Sequence, residues 1–290
     1  MDKVIVIVGA TGSGKTKLAI KLAKDFNGEV INADAFQVYK EIGIGTAKTT
    51  NEEMNGTKFY LNGEISIYDP WDIKIFQDEA KKIIAKIIKK GKLPILVGGS
   101  NLYIDALIYN YDLSAQPRDD KYESIDTKRL YSMLTKKDAT VAKTIDQNNK
   151  RRIIRALQIL ETGGAFRKKN SPIYDATFIY SYMDKAELDK KINNNVDVMF
   201  KNGWKQEVEK ILKQDKDVAK LNALKAIGYQ EIIDAIINNK SIEIDLIKQK
   251  TRQYAKRQIT WIRTHYKEPI LFTQNNYQEI SKLLQNKLFV

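Results

Sequence analysis

Gly9-Ala10-Thr11-Gly12-Ser13-Gly14-Lys15-Thr16 is the stretch of this 290-residue chain whose residue types and spacing most directly imply chemistry. It fits G-x-x-x-x-G-K-[ST]. It stands between an apolar β-branched run, Val4 to Val8, and apolar residues at helical spacing, Leu18, Ala19, Leu22 and Ala23. In such a strand–loop–helix setting, glycines let backbone N–H groups close around phosphate oxygens, and the helix N-terminus adds positive dipole. Lys15 supplies a mobile charge and Thr16 a hydroxyl for Mg²⁺. A Gly-rich turn that binds nothing gives no reason for Lys and Thr after the last glycine. The motif specifies a phosphorylated ligand without naming it, since unrelated reactions use it.

A second chemical position is Asp34, at the end of the strand-like run Glu29 to Asp34. Ligands of open α/β sheets bind at the carboxyl ends of strands, so Asp34 belongs near the phosphate loop. There it is a partner of Mg²⁺ or water, a general base, or a plain helix N-cap. Leu93 to Val97 is another buried strand, followed by Gly98-Gly99-Ser100-Asn101 and a helix from Leu102. This second strand–Gly loop–helix unit should face the same cleft. The glycines and Thr46-Ala47-Lys48 of 43–48 read as a further loop near it.

Composition narrows the chemistry. There is no Cys and only His265, which excludes disulfides, thiolate metal sites, cysteine nucleophiles and His-based triads. Any general base is a carboxylate, Lys or Tyr. The net charge of +13 implies a polyanionic partner, nucleic acid or an acidic membrane surface, unless it reflects only a Lys-rich background. Met1-Asp2-Lys3 leads straight into the first strand and no 18-residue apolar run occurs. The expectation is therefore a cytoplasmic protein with no membrane span, and a monomer by default.

The elements that must position these residues alternate. Strands at Val4–Val8, around Val30, at Leu93–Val97 and Ala176–Tyr182 interleave with helices at 73–88, 102–107 and 186–200, while Glu64–Tyr68 is a possible strand. Further helices are expected at 204–212, 221–237, 245–265 and 278–288, with a last strand at 269–272. This is the pattern of an α/β fold, a P-loop-containing doubly wound parallel sheet. No clear strand interrupts 112–172. The loop Asp112–Asp120 with Pro117 and Arg118, a helix carrying Lys150, Arg151, Arg152 and Arg155, and the run Arg167-Lys168-Lys169 read as an inserted helical subdomain. The core is then 1–111 with 173–290, and the insert 112–172. From Leu246 to Lys267 there are seven Lys or Arg and no acid. Lys248, Arg252, Lys256 and Arg263 share an arc of roughly 80°, with Thr251, Ala255, Ile259 and Ile262 beside it. One end of that face is expected to point at the phosphate site and the rest at a polyanion.

Taken as an ordered set, these blocks resemble the bacterial tRNA dimethylallyltransferase, or tRNA isopentenyltransferase, family. The blocks are 9–16, Asn-Ala-Asp-Ala-Phe-Gln-Val-Tyr at 32–39, Ile-Gly-Thr-Ala-Lys at 44–48, and Leu-Pro-Ile-Leu-Val-Gly-Gly-Ser-Asn-Leu-Tyr at 93–103. Arg-Arg-Ile-Ile-Arg-Ala-Leu at 151–157, Ala-Ile-Gly-Tyr at 226–229 and Lys-Gln-Lys-Thr-Arg-Gln-Tyr-Ala-Lys-Arg-Gln-Ile-Thr-Trp at 248–261 complete it. The resemblance covers nearly the whole chain. It implies transfer of a dimethylallyl group from dimethylallyl diphosphate to N6 of the adenosine 3′ of the anticodon, with Mg²⁺ as cofactor and the tRNA anticodon stem-loop as partner. The loop Gly9, Ala10, Thr11, Gly12, Ser13, Gly14, Lys15 and Thr16 then holds the donor's diphosphate, with Arg252 as a further diphosphate or tRNA contact. Asp34 becomes the group that holds the amine and takes its proton, and Ser100, where the family usually has Thr, bonds the same amine. Ala35, Phe36 and Gln37 flank the base, and the segment Arg151, Arg152, Ile153, Ile154 and Arg155 meets the tRNA.

The chain departs from the family at several points. Ala35-Phe36 replaces the usual Ser-Arg, and the paired histidines usual near 59–62 are absent. Asn148-Asn149 lack the common acid. Lys191 and Asn195 stand where two arginines are usual, the second a diphosphate contact, so Asn195 offers only a neutral hydrogen bond. Other readings carry their own signatures. An adenylate isopentenyltransferase would prenylate free AMP and need no extended basic surface. A P-loop kinase or NTPase would turn over ATP. A weakened tRNA-binding protein would bind with steep salt dependence and make no product.

Overall fold

The computed structural model describes residues 1–113, 120–163 and 170–289. The loop positions Pro117 and Arg118 and the run Arg167-Lys168-Lys169 lie outside the described residues. The described chain falls into two compact units, Met1–Ile108 with Pro172–Val290 and Tyr109–Ser171.

The larger unit is built on a six-stranded sheet, all parallel, in the order β3-β2-β4-β1-β5-β6. The strands are β1 (Lys3–Gly9), β2 (Gly28–Asn32), β3 (Phe59–Tyr60), β4 (Leu93–Val97), β5 (Asp175–Ser181) and β6 (Ile270–Phe272). Val4 to Val8 of β1 are all 0% exposed, as expected for a central parallel strand covered on both faces. Ile5 and Ile7 pack with Val30, Ile95 and Ile179 beneath α1 (Lys15–Asp25) and α12 (Tyr277–Phe289). Val4, Val6 and Val8 point the other way. On that side α3 (Ile73–Lys89) packs against β2 and β4, and α11 (Ile244–His265) against β1. Asp72 starts α3 by accepting from the Lys74 and Ile75 N–H groups, and Phe76, Ala80, Ile84 and Ile87 bury one helical stripe. α4 (Asn101–Ile108), α8 (Lys185–Lys201), α9 (Trp204–Gln214) and α10 (Tyr229–Ile237) complete this unit, with one turn of helix, α2, at Asn51–Met54.

Two expectations fail. The possible strand Glu64–Tyr68 is a run of turns. Leu61 adopts positive φ, the Glu64 carboxylate accepts the Leu61 N–H and the Asp69 carboxylate that of Ser66. Only a single Tyr39–Ile65 bridge remains, and Phe59–Tyr60 takes the edge of the sheet instead. The helix expected over 221–237 begins only at Tyr229. Asn222–Lys225 is a single 3₁₀ turn, Ala226 is extended, and Gly228 has φ +90°. A Cβ on Gly228 would stand 2.0 Å from the Trp204 ring, so the chain bends around that indole.

The smaller unit packs α5 (Thr127–Lys137), α6 (Ala139–Lys143) and α7 (Lys150–Glu161) around Leu130, Leu134, Ala142, Ile145, Ile153, Ile154 and Leu157. Asp126, Asp138 and Asn149 cap its three helices.

Candidate functional site

Because β2, β4, β1 and β5 are neighbours, the loops that leave their carboxyl ends lie side by side. The loop after β1, Gly9 to Gly14, turns with a Ser13 N–H to Ala10 carbonyl bond of 3.1 Å and positive φ at Gly12 and Gly14. Lys15 folds back over it, its Nζ 2.7 Å from the Ala10 carbonyl. The Ser181 hydroxyl, at the end of β5, donates to the Ser13 carbonyl at 2.8 Å. Asn195 of α8 stands close by, its Nδ2 3.6 Å from where a Gly12 Cβ would be.

The loop after β2 carries Asp34. Its Oδ1 accepts the Phe36 N–H at 2.9 Å and the Gln37 N–H at 3.4 Å, which fixes the carboxylate. Its Oδ2 faces the loop after β4, where a Gly99 Cβ would lie 3.9 Å away. The Ser100 hydroxyl accepts the Ala35 N–H at 3.0 Å, locking the two loops together. Burial pushes the Asp34 carboxyl above the usual carboxylate range, against the Phe36 and Gln37 N–H bonds and the pull of Lys15. Burial likewise lowers the Lys15 ammonium to about 8, although Asp34 opposes it. A base and a cation thus share one desolvated edge. Tyr254 of α11 joins them, its hydroxyl donating to the Gly99 carbonyl at 3.5 Å and pushed up in pKa by burial and by Asp34.

Phe36 is half-buried beside Asp34, and Gln37 is used internally. Its Oε1 accepts from Asn32 at 3.0 Å, and its Nε2 donates to the Thr46 and Ala47 carbonyls at 2.9 and 3.1 Å. The 43–48 loop is held from its other side by α9 and α10. Glu207 Oε2 accepts the Gly43 and Ile44 N–H groups at 2.8 and 2.9 Å. The Tyr229 hydroxyl donates to Glu207 Oε1 at 2.6 Å and accepts the Gly45 N–H at 3.1 Å. The Trp204 indole fills the space over both Gly45 and Gly228.

The basic helix α11 differs from its expected role. Lys248 pairs with Asp197 at 2.7 Å, Lys250 with Glu231 at 2.6 Å, and Arg252 bonds Asn193 of α8. The first two turns of cations therefore dock the helix on its neighbours, and Lys256, Arg257 and Arg263 are the exposed ones. In the helical unit Arg151 is exposed and Arg152 and Arg155 half-buried. Ile153 and Ile154 are 0% and 4% exposed within that unit's own core, which corrects their assignment to an RNA-facing surface. An amphipathic helix must turn the residues between its arginines inward.

Among the described residues no cluster of three or more acidic or His side chains could cage a metal. Thr16 at the start of α1, with Asp34 nearby, offers one or two oxygens. That donor set suits Mg²⁺ held mainly by phosphate oxygens and water.

One residue at the centre of the site stands within the block 248–261 but was not singled out there. Gln258, 4% exposed, accepts the Thr11 N–H at 2.8 Å and donates to the Gly99 carbonyl at 2.9 Å. Its helix drew attention for its cations, and nothing in the spacing of its three glutamines, Gln249, Gln253 and Gln258, marks the last as the buried one.

A family model described as IPP transferase matches residues 37–265. The chain is 44% identical over 289 residues to a tRNA dimethylallyltransferase of Malacoplasma penetrans, covering 97% of this chain and 95% of that protein. It is similar to the full-length tRNA isopentenylpyrophosphate transferase of Bacillus halodurans, with a TM-score of 0.76 at 34% identity over 99% of this chain and 96% of the other. It also resembles a eukaryotic dimethylallyltransferase acting on tRNA, with a TM-score of 0.82 at 29% identity, over 99% of this chain and 79% of that one.

Proposed function

We propose the following for a chain that belongs to the IPP transferase family: it is a tRNA prenyltransferase, an enzyme that moves a dimethylallyl group from dimethylallyl diphosphate to an adenosine of tRNA. The observation that carries this reading is Asp34, a half-buried carboxylate beside the Gly9–Thr16 loop, with one oxygen fixed by backbone N–H groups and the other facing the cleft.

Gly9–Thr16 is the cradle for the donor's diphosphate. Its backbone N–H groups, the dipole of α1 and Lys15 meet the negative charge that builds as the C–O bond to diphosphate breaks. Lys15, now resting on the Ala10 carbonyl, is the mobile member of that set. Thr16 would hold Mg²⁺, which would supply further neutralisation of the diphosphate charge. The adenosine N6 forms the new C–N bond to the allylic carbon, and the proton it sheds passes to Asp34 Oδ2. Ser100, tied to the Ala35 N–H, orients the amine. The acceptor base, drawn from the anticodon loop next to the anticodon, must leave its stack to reach this edge. Arg151, Arg152 and Arg155 of the helical unit and Lys256, Arg257 and Arg263 of α11 are the cations proposed for the tRNA backbone.

The test is one assay with labelled dimethylallyl diphosphate and Mg²⁺, offering unmodified tRNA, AMP or no acceptor, followed by nucleoside digestion. The expected product is prenyl-adenosine from tRNA alone. Label in AMP would move the chain to free-nucleotide chemistry, and no transfer with ATP turnover would make it an NTPase. Asp34→Ala is expected to abolish transfer while tRNA still binds, and Lys15→Ala to abolish use of the donor.

A further inference from the structure

Gln258 lies on the buried side of α11, a helix whose neighbouring positions there are Ile247, Ala255 and Ile262. A primary amide in such a place is retained only with its donor and acceptor both satisfied, since a leucine would bury as well without that demand. The two partners are informative. One is the N–H of Thr11 in the loop after β1, and the other is the carbonyl of Gly99 in the loop after β4. The Gln258 main-chain carbonyl, separately from its side chain, accepts from Asn101 Nδ2 at 3.4 Å, one residue past Ser100. One side chain thus spans the loop proposed to hold the departing diphosphate and the loop that presents Ser100 and faces Asp34.

We propose that Gln258 is a positioning residue that sets the distance between the donor loop and the acceptor loop, so that the allylic carbon and the amine meet in line. This rests on the transferase reading. Each loop keeps its own internal bonds without Gln258, so each substrate should still bind. What is lost is their relative placement, and a misplacement of about 1 Å costs on the order of a hundredfold in rate.

The decisive variant is Gln258→Glu, which keeps volume and the acceptor for Thr11 but sets a second oxygen against the Gly99 carbonyl. Only its protonated form can donate there and restore the bridge. The titratable groups around the two loops are Asp34, Lys15 and Tyr254. Asp34 must be ionised to accept the proton, so wild-type turnover falls as the medium is acidified. For Gln258→Glu, the ratio of its kcat to that of wild type is expected to rise on acidification. Gln258→Leu is expected to lower kcat by about tenfold or more at every pH, with either KM changed less than about threefold. A flat pH dependence of the Gln258→Glu ratio, or a Gln258→Leu kcat within about twofold of wild type, overturns the proposal. So does a Gln258→Glu chain that fails to fold at any pH, which would make the residue structural. A wild-type chain that transfers nothing to tRNA overturns the underlying reading and this proposal with it.

Discussion

Lys15 and Asp34 are each pushed toward neutrality by burial, which the attraction between them opposes but does not outweigh. A rate that needs the carboxylate free of its proton and the ammonium carrying one has two limbs. The acid limb of kcat/KM for the donor is expected above the ordinary carboxylate range, because the folded Asp34 binds its proton more tightly. The alkaline limb is expected near 8, where Lys15 discharges in the free enzyme. Bound diphosphate raises the Lys15 value, so the alkaline limb of kcat should move up. A Lys15→Arg chain that keeps an alkaline limb near 8 would detach that limb from Lys15. Asn195 gives a second test at this scale. Its amide stands beside Gly12, and Asn195→Arg is expected to lower the donor KM several-fold by adding a charge to the leaving group. An unchanged donor KM would remove α8 from the diphosphate site. At this scale the placement at strand ends was most legible, since Lys15 and Thr16 follow the glycine loop after β1, Ser100 follows Gly98-Gly99 after β4, and Asp34 follows β2 directly. Gln258 was not, because 247 residues separate it from Thr11 and a side-chain bond to backbone leaves no spacing rule.

Between elements, the 43–48 loop is clamped from two directions, by Gln37 after β2 and by Glu207, Tyr229 and Trp204 on α9 and α10. The blocks 44–48 and 226–229, each conspicuous in sequence, meet over one indole. Gly45→Ala would place a Cβ 2.1 Å from Trp204. It is expected to destabilise the fold by roughly 2–3 kcal/mol, as overpacking of a filled site does. Combining it with Trp204→Leu should recover part of that loss. Strictly additive losses in thermal or denaturant unfolding would show that the two do not compete for space. The contact was hidden because propensity continues a helix through 221–237. The requirement that breaks it, room for Trp204 at Gly228, belongs to another part of the chain.

For the molecule as a whole, the amino edge of the sheet is tied by an ionic knot while the carboxyl edge carries the proposed site. Glu29, 3% exposed at the start of β2, accepts from Lys90, Lys92 and the Tyr60 hydroxyl. Burial alone would raise its carboxyl, but Lys92, Lys90 and Tyr60 outweigh that and hold it at about 2. A folded value below the unfolded one stabilises the protein above the unfolded value, and the contribution is lost as pH falls toward the folded one. Glu29→Gln is therefore expected to cost on the order of 2 kcal/mol at neutral pH. The cost should shrink as the pH is lowered from the ordinary carboxylate range toward about 2. A loss independent of pH would show that shape, not charge, holds that edge. Among the described residues no helix is long and apolar enough to cross a membrane.

The span between Thr11 and Gln258 also bears on how the site comes into being during translation. The glycine loop is among the first residues to leave the ribosome, yet β1 acquires its neighbour β5 only after residue 175 and its loop acquires the Gln258 amide 247 residues later. Contacts of such separation form late and slowly. The Gly9–Gly14 loop therefore gains its place beside β4 early in synthesis, but the bonds that complete it, from Ser181 to Ser13 and from Thr11 to Gln258, wait until residues 181 and 258 of the 290 have been made.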